Sequence, residues 1–334
     1  MPFKPVAQKF NAKINTLTVG VGDKAITLGG ENVLPFYSFD AEIENAPKVG
    51  IELSDLGIEL SDLGIELSDL GIELSDLGID ASFPALAEFY AGATTLPELA
   101  KVAAEKSGAD FLAIYLEGAH PDSGDRSVED TAALVAEVAA VVDLPLVIEG
   151  SRNVEKDAKL FEKIADALQG KNVLFLSARE ENYKTVAAGA AMAYQQKIGA
   201  ESAVDINLAK QLNVLVSQMG VKADSVAMNL GSAAAGYGFE YVASTIDRVK
   251  AAALAQNDNM LQMPIVTPIA SDAWGVKESI VSEDDFPEWG PVEQRGVSME
   301  IATAAACLAA GSNAVILRHP QSVATISKLV ADLV

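Results

Sequence analysis

The polar residues spaced to do chemistry in this chain fall just past short apolar runs. In order they are Glu117; Glu149 with Ser151 and Asn153; Ser177 with Glu180 to Asn182; Asp205 and Asn207; Asn229 with Gly231; Thr267 and Ser271; and Arg318 with His319. Carboxylates, amides and hydroxyls dominate, a set suited to hydrogen bonding and proton transfer. Glu117 and Glu149 form a candidate general acid/base pair. Asp205 stands where a helix begins, so capping that helix is its simplest role. Asn229 either contacts a ligand or satisfies loop amides. Arg318 either meets a ligand or pairs with a carboxylate such as Glu149. His319, before Pro320, reads first as a satisfied loop histidine. The segment 231–238 (Gly-Ser-Ala-Ala-Ala-Gly-Tyr-Gly) lets a flat ligand approach the backbone, cradles a phosphate, or is simply a flexible loop. No Walker-type Lys-Ser/Thr follows it. No Ser/His/Asp arrangement is spaced recognisably, and no lysine sits at a strand end, which counts against a Schiff-base lyase or aldolase. Cys307 lies in an Ala-rich helix as core.

These residues need elements to hold them. Val49–Leu53, Phe111–Leu116, Leu146–Glu149, Val173–Leu176, Val226–Leu230, Ile265–Pro268 and Ala314–Leu317 are apolar runs of buried-strand type, and Ala200–Val204 is a weaker one. Helical patterns lie between them: Val128 to Val142, Ala158 to Leu168, and Ile206 to Met219 each keep one apolar face. Ser127 with Asp130 starts the first. Gly108, Gly170, Gly199, Gly220 and Gly311 each fall between a helical pattern and a strand, where a helix ends in a left-handed residue. Eight strand-then-helix units predict an α/β fold of the TIM (β/α)8 barrel type, with function at the C-terminal strand ends. A doubly wound sheet is the alternative, but no dinucleotide fingerprint follows a first strand. Residues 14–30 read as a β-hairpin around Gly22-Asp23. The expected organisation is an N-terminal extension over 1–32 and a barrel domain over 33–334.

A tandem repeat interrupts this plan. Gly-Ile-Glu-Leu-Ser-Asp-Leu occurs four times without error from Gly50 to Leu77. Leucines alternating at three and four residues resemble a coiled-coil seam. Each heptad also carries a glycine, which costs a helix about 1 kcal/mol. The segment 50–77 therefore reads as a tolerated tandem insertion in preference to a functional docking helix. One copy can serve as a strand; which copy is not readable.

Composition narrows the function. The chain has 334 residues, with 24 Lys+Arg against 47 Asp+Glu, a net charge of −23. That charge repels phosphate backbones and anionic membranes, so neither nucleic acid nor membrane is expected as a partner. Its simplest meaning is solubility. Half of the residues are hydrophobic, against global disorder. A single cysteine excludes an internal disulfide and a four-cysteine iron–sulfur cluster, and fits a reducing, cytoplasmic setting. The two histidines lack a paired metal spacing. The N-terminus has no apolar signal-peptide core. The apolar stretch near 300–317 reads as a buried helix followed by a strand, not a membrane span.

Several blocks together resemble one family. They are Leu34-Pro35-Phe36, Val49 to Asp55, Glu181 to Lys184, Val204 to Asn213, Gly236 to Tyr241, Met263 to Val266, Ala273-Trp274, Trp289-Gly290 with Glu293 and Arg295-Gly296, and Arg318-His319-Pro320. In these the chain is similar to the small (delta-type) subunit of the corrinoid iron–sulfur protein, the delta subunit family of the acetyl-CoA decarbonylase/synthase complex. The resemblance runs from about residue 30 to the C-terminus, the repeat apart. The repeat, the Ala-rich 231–235 and the run 201–203 depart from the family pattern.

The resemblance implies a TIM barrel paired with a large subunit that carries a [4Fe–4S] cluster and a corrinoid (cobalamin) domain. It implies methyl carriage from a methyltetrahydrofolate methyltransferase to the CO dehydrogenase/acetyl-CoA synthase in the reductive acetyl-CoA (Wood–Ljungdahl) pathway. Neither histidine lies in the Asp-x-His-x-x-Gly pattern of a corrinoid lower ligand. The chain is thus expected to be non-catalytic alone, with no iron–sulfur cluster, its barrel mouth capping a corrinoid held by the partner. The candidate corrinoid-facing residues are Asp205, Asn207, Asn229, Gly231, Gly236, Tyr237, Gly238, Thr267, Arg318 and His319; no catalytic or metal-ligating residue is assigned. The alternative is a methyltetrahydrofolate:corrinoid methyltransferase, with Asp205, Asn207 and Asn229 holding the pterin itself.

Overall fold

A computed structural model describes residues 10–33, 43–56 and 83–333. Two short strands, β1 (Leu17–Val19) and β2 (Ile26–Leu28), pair antiparallel with Leu17 opposite Leu28, the expected hairpin. Eight parallel strands follow: β3 (Lys48–Ser54), β4 (Phe111–Tyr115), β5 (Leu146–Glu149), β6 (Leu174–Ala178), β7 (Lys197–Glu201), β8 (Val226–Asn229), β9 (Val266–Pro268) and β10 (Ala314–Leu317). Their order around the sheet is β8-β7-β6-β5-β4-β3-β10-β9. A bridge between Met228 and Ile265 joins the two ends, so the sheet is a nearly closed barrel. Helices run between the strands on the outside, as a right-handed parallel crossover requires. Among them are α1 (Pro84–Phe89), α2 (Leu96–Lys106), α3 (Val128–Val141), α4 (Val154–Ala167), α5 (Tyr183–Val186), α6 (Ile206–Gln218), α7 (Phe239–Leu254), α8 (Ala270–Trp274), α9 (Lys277–Ile280), α10 (Val292–Ala310) and α11 (Pro320–Leu333). The Ala-rich stretch near 300–317 is α10 followed by β10. No helix among the described residues is long and apolar enough to cross a membrane.

Side-chain parity divides the core in two. Ile51, Leu53, Leu112, Ile114, Ile148, Met228, Val315 and Leu317 face the helices. Phe111, Ala113, Val147, Leu174, Leu176, Ala227, Val266, Ala314 and Ile316 face into the barrel, together with Leu17, Val19, Ile26 and Leu28 of the hairpin. The hairpin therefore plugs the N-terminal end of the barrel. The Gly20 amide donates to Asn172 O (2.8 Å), ahead of β6, and the Asn172 amide donates back to Thr18 O (2.8 Å). Just beyond the hairpin, Glu31 is buried against Lys250 Nζ (2.7 Å), and Lys250 also donates to Asn313 Oδ1 (2.9 Å). Asn313 Nδ2 donates to the same Glu31 oxygen at 2.7 Å. Burial alone would raise the Glu31 carboxyl; Lys250 and Asn313 outweigh it and hold it below its ordinary value.

Two expectations change here. The fifth barrel strand is 197–201, not 200–204. Asp205 caps α6, accepting from Asn207 N (2.7 Å) and Leu208 N (3.2 Å). The intervening Ala203 and Val204 take positive φ (44° and 66°), so the strand must end before them. Gly199 consequently lies inside β7 and is no helix terminus. A Cβ there would sit 2.2 Å from Leu176 Cδ2, so glycine is needed for close approach. The other four glycines do adopt positive φ: 72° at Gly108, 78° at Gly170, 102° at Gly220 and 125° at Gly311.

The first copy of the repeat supplies β3. Its glycine, Gly50, faces Phe111, whose Cε2 would be 2.2 Å from a Cβ at that position. The repeat glycine thus serves strand packing in this copy. The copies over 57–77, like residues 34–36, lie outside the described residues.

Candidate functional site

The alternation that buries Ile51, Ile114, Ile148, Ala200, Met228 and Leu317 under the helices turns Glu52, Tyr115, Glu149, Glu201, Asn229 and Arg318 inward at the C-terminal end of the barrel. The barrel interior thus changes from aliphatic to polar within one turn of the strand pleat. Arg318 Nη2 pairs with Glu52 Oε1 at 3.0 Å, and Arg179, just past β6, pairs with Glu201 at 2.8 Å. Arg152, just past β5, lays its guanidinium 5.2 Å from the centre of the Tyr115 ring.

Above this layer is a cavity of about 320 Å³. Glu149, Ser177, Asn229, Gly231 and Ser271, all expected from the sequence, line it, as do Tyr115, Arg152, Asp157, Arg179, Glu201, Ser232 and Asp272. Asn229 is fastened at both ends of its amide: Nδ2 donates to Ser177 Oγ (2.9 Å), and Oδ1 accepts from Gly231 N (3.0 Å). Loop satisfaction and presentation at the cavity are therefore one arrangement. Ser232 Oγ is buried and has no hydrogen-bond partner. Asp157, on the first turn of α4, accepts from both the amide (2.7 Å) and the hydroxyl (2.6 Å) of Ser151. Burial pushes its carboxyl above the ordinary value despite those bonds. Gly150 lets this carboxylate approach the backbone, since a Cβ there would meet Asp157 Oδ2 at 2.5 Å and displace it. Three lining residues, Arg152, Ala203 and Val204, hold positive φ, at a cost of about 1–3 kcal/mol each. Of the seven non-glycine residues at positive φ among the described residues, these three share the cavity; another, Asn172, lies at the hairpin end.

The remaining sequence candidates lie elsewhere. Asp205 and Asn207 are exposed at the start of α6, where Asp205 acts as the cap. Thr267 is buried and turned outward, its hydroxyl 2.7 Å from Ser312 Oγ, because Val266 takes the inward place on β9. Gly236 and Gly238 have positive φ (88° and 92°) and flank Tyr237, which is exposed, is not in the cavity lining, and donates to Glu278 Oε2 at 2.6 Å. Arg318 is paired with a barrel carboxylate. His319 is buried: its Nδ1 accepts from Gln321 N (3.1 Å), so Nε2 carries the proton and donates to Glu293 Oε1 (3.2 Å). Its ring stacks on Trp274 at 5.9 Å. Burial holds the imidazole below its ordinary value, against the pull of Glu293. Glu293 also accepts from Ala85 N and Leu86 N at the start of α1, so His319 belongs to a structural brace. Glu117 accepts from Ser54 Oγ (2.9 Å) and does not line the cavity, so it makes no acid/base pair with Glu149 there.

Among the described residues no lysine, cysteine or histidine lines the cavity. Cys307 is buried in α10, its thiol pushed up to about 12 by burial. Among the described residues no group of three or more His, Cys, Asp or Glu side chains could hold a metal ion.

Comparison with known proteins agrees with this architecture. The fold is similar to 7,8-dihydropteroate synthase from Vibrio fischeri (TM-score 0.54, 11% identity, covering 95% of this chain and 97% of that one). It is also similar to the Xanthomonas albilineans dihydropteroate synthase with 4-aminobenzoic acid (TM-score 0.52, 13% identity, 96% and 98% covered). At these identities the likeness shows the TIM barrel alone. In sequence, the chain is 32% identical over 319 residues to the acetyl-CoA decarbonylase/synthase complex subunit delta 2 of Methanosarcina acetivorans, covering 94% of this chain and 67% of that protein. It is 28% identical over 340 residues to the subunit delta of Archaeoglobus fulgidus, covering 98% and 70%. Residues 16–285 match the family model of the CO dehydrogenase/acetyl-CoA synthase delta subunit, and the chain belongs to that family.

Proposed function

We propose that this chain is the small subunit of a corrinoid iron–sulfur protein, and that its barrel mouth covers a corrinoid held mainly by a larger partner subunit. The pair would carry a methyl group from a methyltetrahydrofolate methyltransferase to the acetyl-CoA synthase. The carrying observation is the mouth itself: a polar cavity into which Asn229 is turned with its amide anchored at both ends, to Ser177 and to the Gly231 backbone. Such a surface orients a cofactor and excludes competing reactions, while the cofactor supplies the methyl-transfer chemistry. In this reading Asn229 and Ser177 face the corrinoid, and the loop 231–238, with Tyr237 on it, sets its distance. Co-expression with the large subunit, followed by cobalt and iron analysis of each separated chain, tests this. Cobalt that co-purifies only with the pair, and iron only with the partner, is the expected result. A stoichiometric cluster in this chain alone would refute it.

One observation favours a second reading. A cavity of about 320 Å³ suits a bicyclic heterocycle better than a macrocycle, as a methyltetrahydrofolate:corrinoid methyltransferase would need. Titration of the isolated chain with methyltetrahydrofolate separates the two. Tight binding with methyl transfer to free Co(I) corrinoid supports the enzyme; no binding supports the covering subunit.

A further inference from the structure

The heptad repeat is the sequence feature that the proposed function leaves unused, and β3 shows what one copy of it does. Gly50 gives room to the Phe111 ring, where a Cβ would stand 2.2 Å from Cε2. Ile51 and Leu53 are buried against the helices. Glu52 pairs with Arg318 at 3.0 Å. Ser54 donates to Glu117 Oε2 at 2.9 Å, and Asp55 accepts from Gly118 N and pairs with Arg126. Each of these contacts comes from within the seven-residue unit. The same residue types recur in the same order from Gly57, Gly64 and Gly71. A shift by a whole copy therefore refills each slot with its own residue type, where a one-residue slip would exchange the two faces of the strand. Such a shift moves seven residues from the connection after the strand to the one before it. Closure entropy varies too slowly with loop length to oppose that strongly.

The residues just ahead of the unit distinguish the copies. β3 begins with Lys48, whose Nζ is 3.7 Å from Asp110 Oδ1, and with the buried Val49. Ahead of each later copy stand Asp and Leu, as in Asp55-Leu56 before Gly57. They would bring a second carboxylate to Asp110 and a larger side chain into the place of Val49. These are the effects of one partly exposed ion pair and one added methylene, enough to select the first copy without disabling the others. We propose that the repeat is a set of interchangeable β3 strands, and that the copy from Gly57 takes the strand position when the first is spoiled. The pair to Arg318 and the anchor of the 117–126 loop would be remade by Glu59 and Asp62, so the barrel mouth keeps its layout.

Gly50→Val, which drives a side chain into Phe111, tests this in two chains of equal length. One is the parent; the other carries Gly57→Val, Gly64→Val and Gly71→Val, so that no later copy can fit against Phe111. With the later copies spoiled, Gly50→Val should lower the melting temperature by about 10 °C or abolish cooperative melting; in the parent it should lower it by about 2 °C. Equal drops in the two chains overturn the proposal. So does a lower melting temperature of the second chain while Gly50 is still in place, since the later copies would then be holding structure of their own. Ile51→Cys, added to Gly50→Val in the parent, locates the strand. Position 51 is fully buried in β3, as is Cys307. A thiol at 51 that reacts with dithionitrobenzoate while the chain stays folded is the expected result, and one that stays protected overturns the exchange. A rescue that strengthens with protein concentration would come from a second molecule and would overturn exchange within one chain.

Discussion

The two ends of this barrel are built from opposite materials. The N-terminal end is plugged by Leu17, Val19, Ile26 and Leu28, and beside it the Glu31–Lys250–Asn313 cluster is buried with short hydrogen bonds. The C-terminal end carries paired ions, anchored amides and three residues at positive φ around a cavity. One end is filled with aliphatic side chains; the other exposes polar groups in a fixed layout. A barrel can keep a polar mouth because its stability resides elsewhere, in the plug and in the aliphatic layer between strands and helices.

The comparison breaks most severely at Lys250. Lys250→Met leaves Glu31 buried without its cation and should cost about 3–5 kcal/mol by urea denaturation, without touching the mouth. Equal stability of the variant would show that the plug end does not depend on the pair. At the other end, Asn229→Ala removes the amide between Ser177 and Gly231. Under the proposed function, methyl transfer by the complex should fall about 10-fold, with a melting temperature close to that of the parent. Loss of folding with unchanged transfer per folded molecule would reverse the roles assigned to the two ends.

A smaller effect sits in the brace at α10. His319 is held neutral, its value lowered from the ordinary 6.5 by burial, while Glu293 faces its Nε2 and Glu300 accepts from its backbone amide at 3.2 Å. An unfolded histidine binds a proton that the folded one refuses. Its contribution is therefore present above pH 6.5 and is lost as pH falls below it. Melting temperatures followed from about pH 7.5 down to about 5 should drop more steeply for the parent than for His319→Gln. Parallel curves would remove His319 from the acid response. The smallest effect is expected from deleting Gly57–Leu77. The first repeat copy already supplies β3, so under the proposed pairing the shortened chain should co-elute with a large subunit to the same extent as the full chain. Loss of that complex on gel filtration would assign the repeat a docking role.

How far the sequence carried this picture depends on which physical signal each element leaves. Runs buried on both faces mark barrel strands plainly, and seven of the eight fall within a residue or two of their expected places. The fifth was displaced because Gly199 imitates a helix terminus while serving close packing against Leu176. That displacement hid Glu201 from the strand-end inventory. Asp205 held the missing signal: a helix cap at 205 requires a turn before it, so the strand must end by about 202. Parity was the other gap. Ile265 to Pro268 is apolar on both faces, and nothing local says that Val266 points inward and Thr267 outward. Arg152 and Arg179 sit in loops whose direction depends on strands distant in sequence, so periodicity could not place them. Asn229 and Gly231 were legible because a polar residue and a glycine at the end of a short apolar run have few other uses.

The stack of Trp274 on His319 has an optical consequence. The chain has two tryptophans, Trp274 buried beside the brace and Trp289 36% exposed and stacked with Phe286. Both belong to the segment between β9 and the middle of α10, and neither touches the hairpin. Intrinsic fluorescence therefore reports on that sector alone, with a blue-shifted emitter whose neighbour quenches when it gains a proton and a red-shifted emitter open to solvent. Release of the N-terminal plug would pass unseen in such a spectrum.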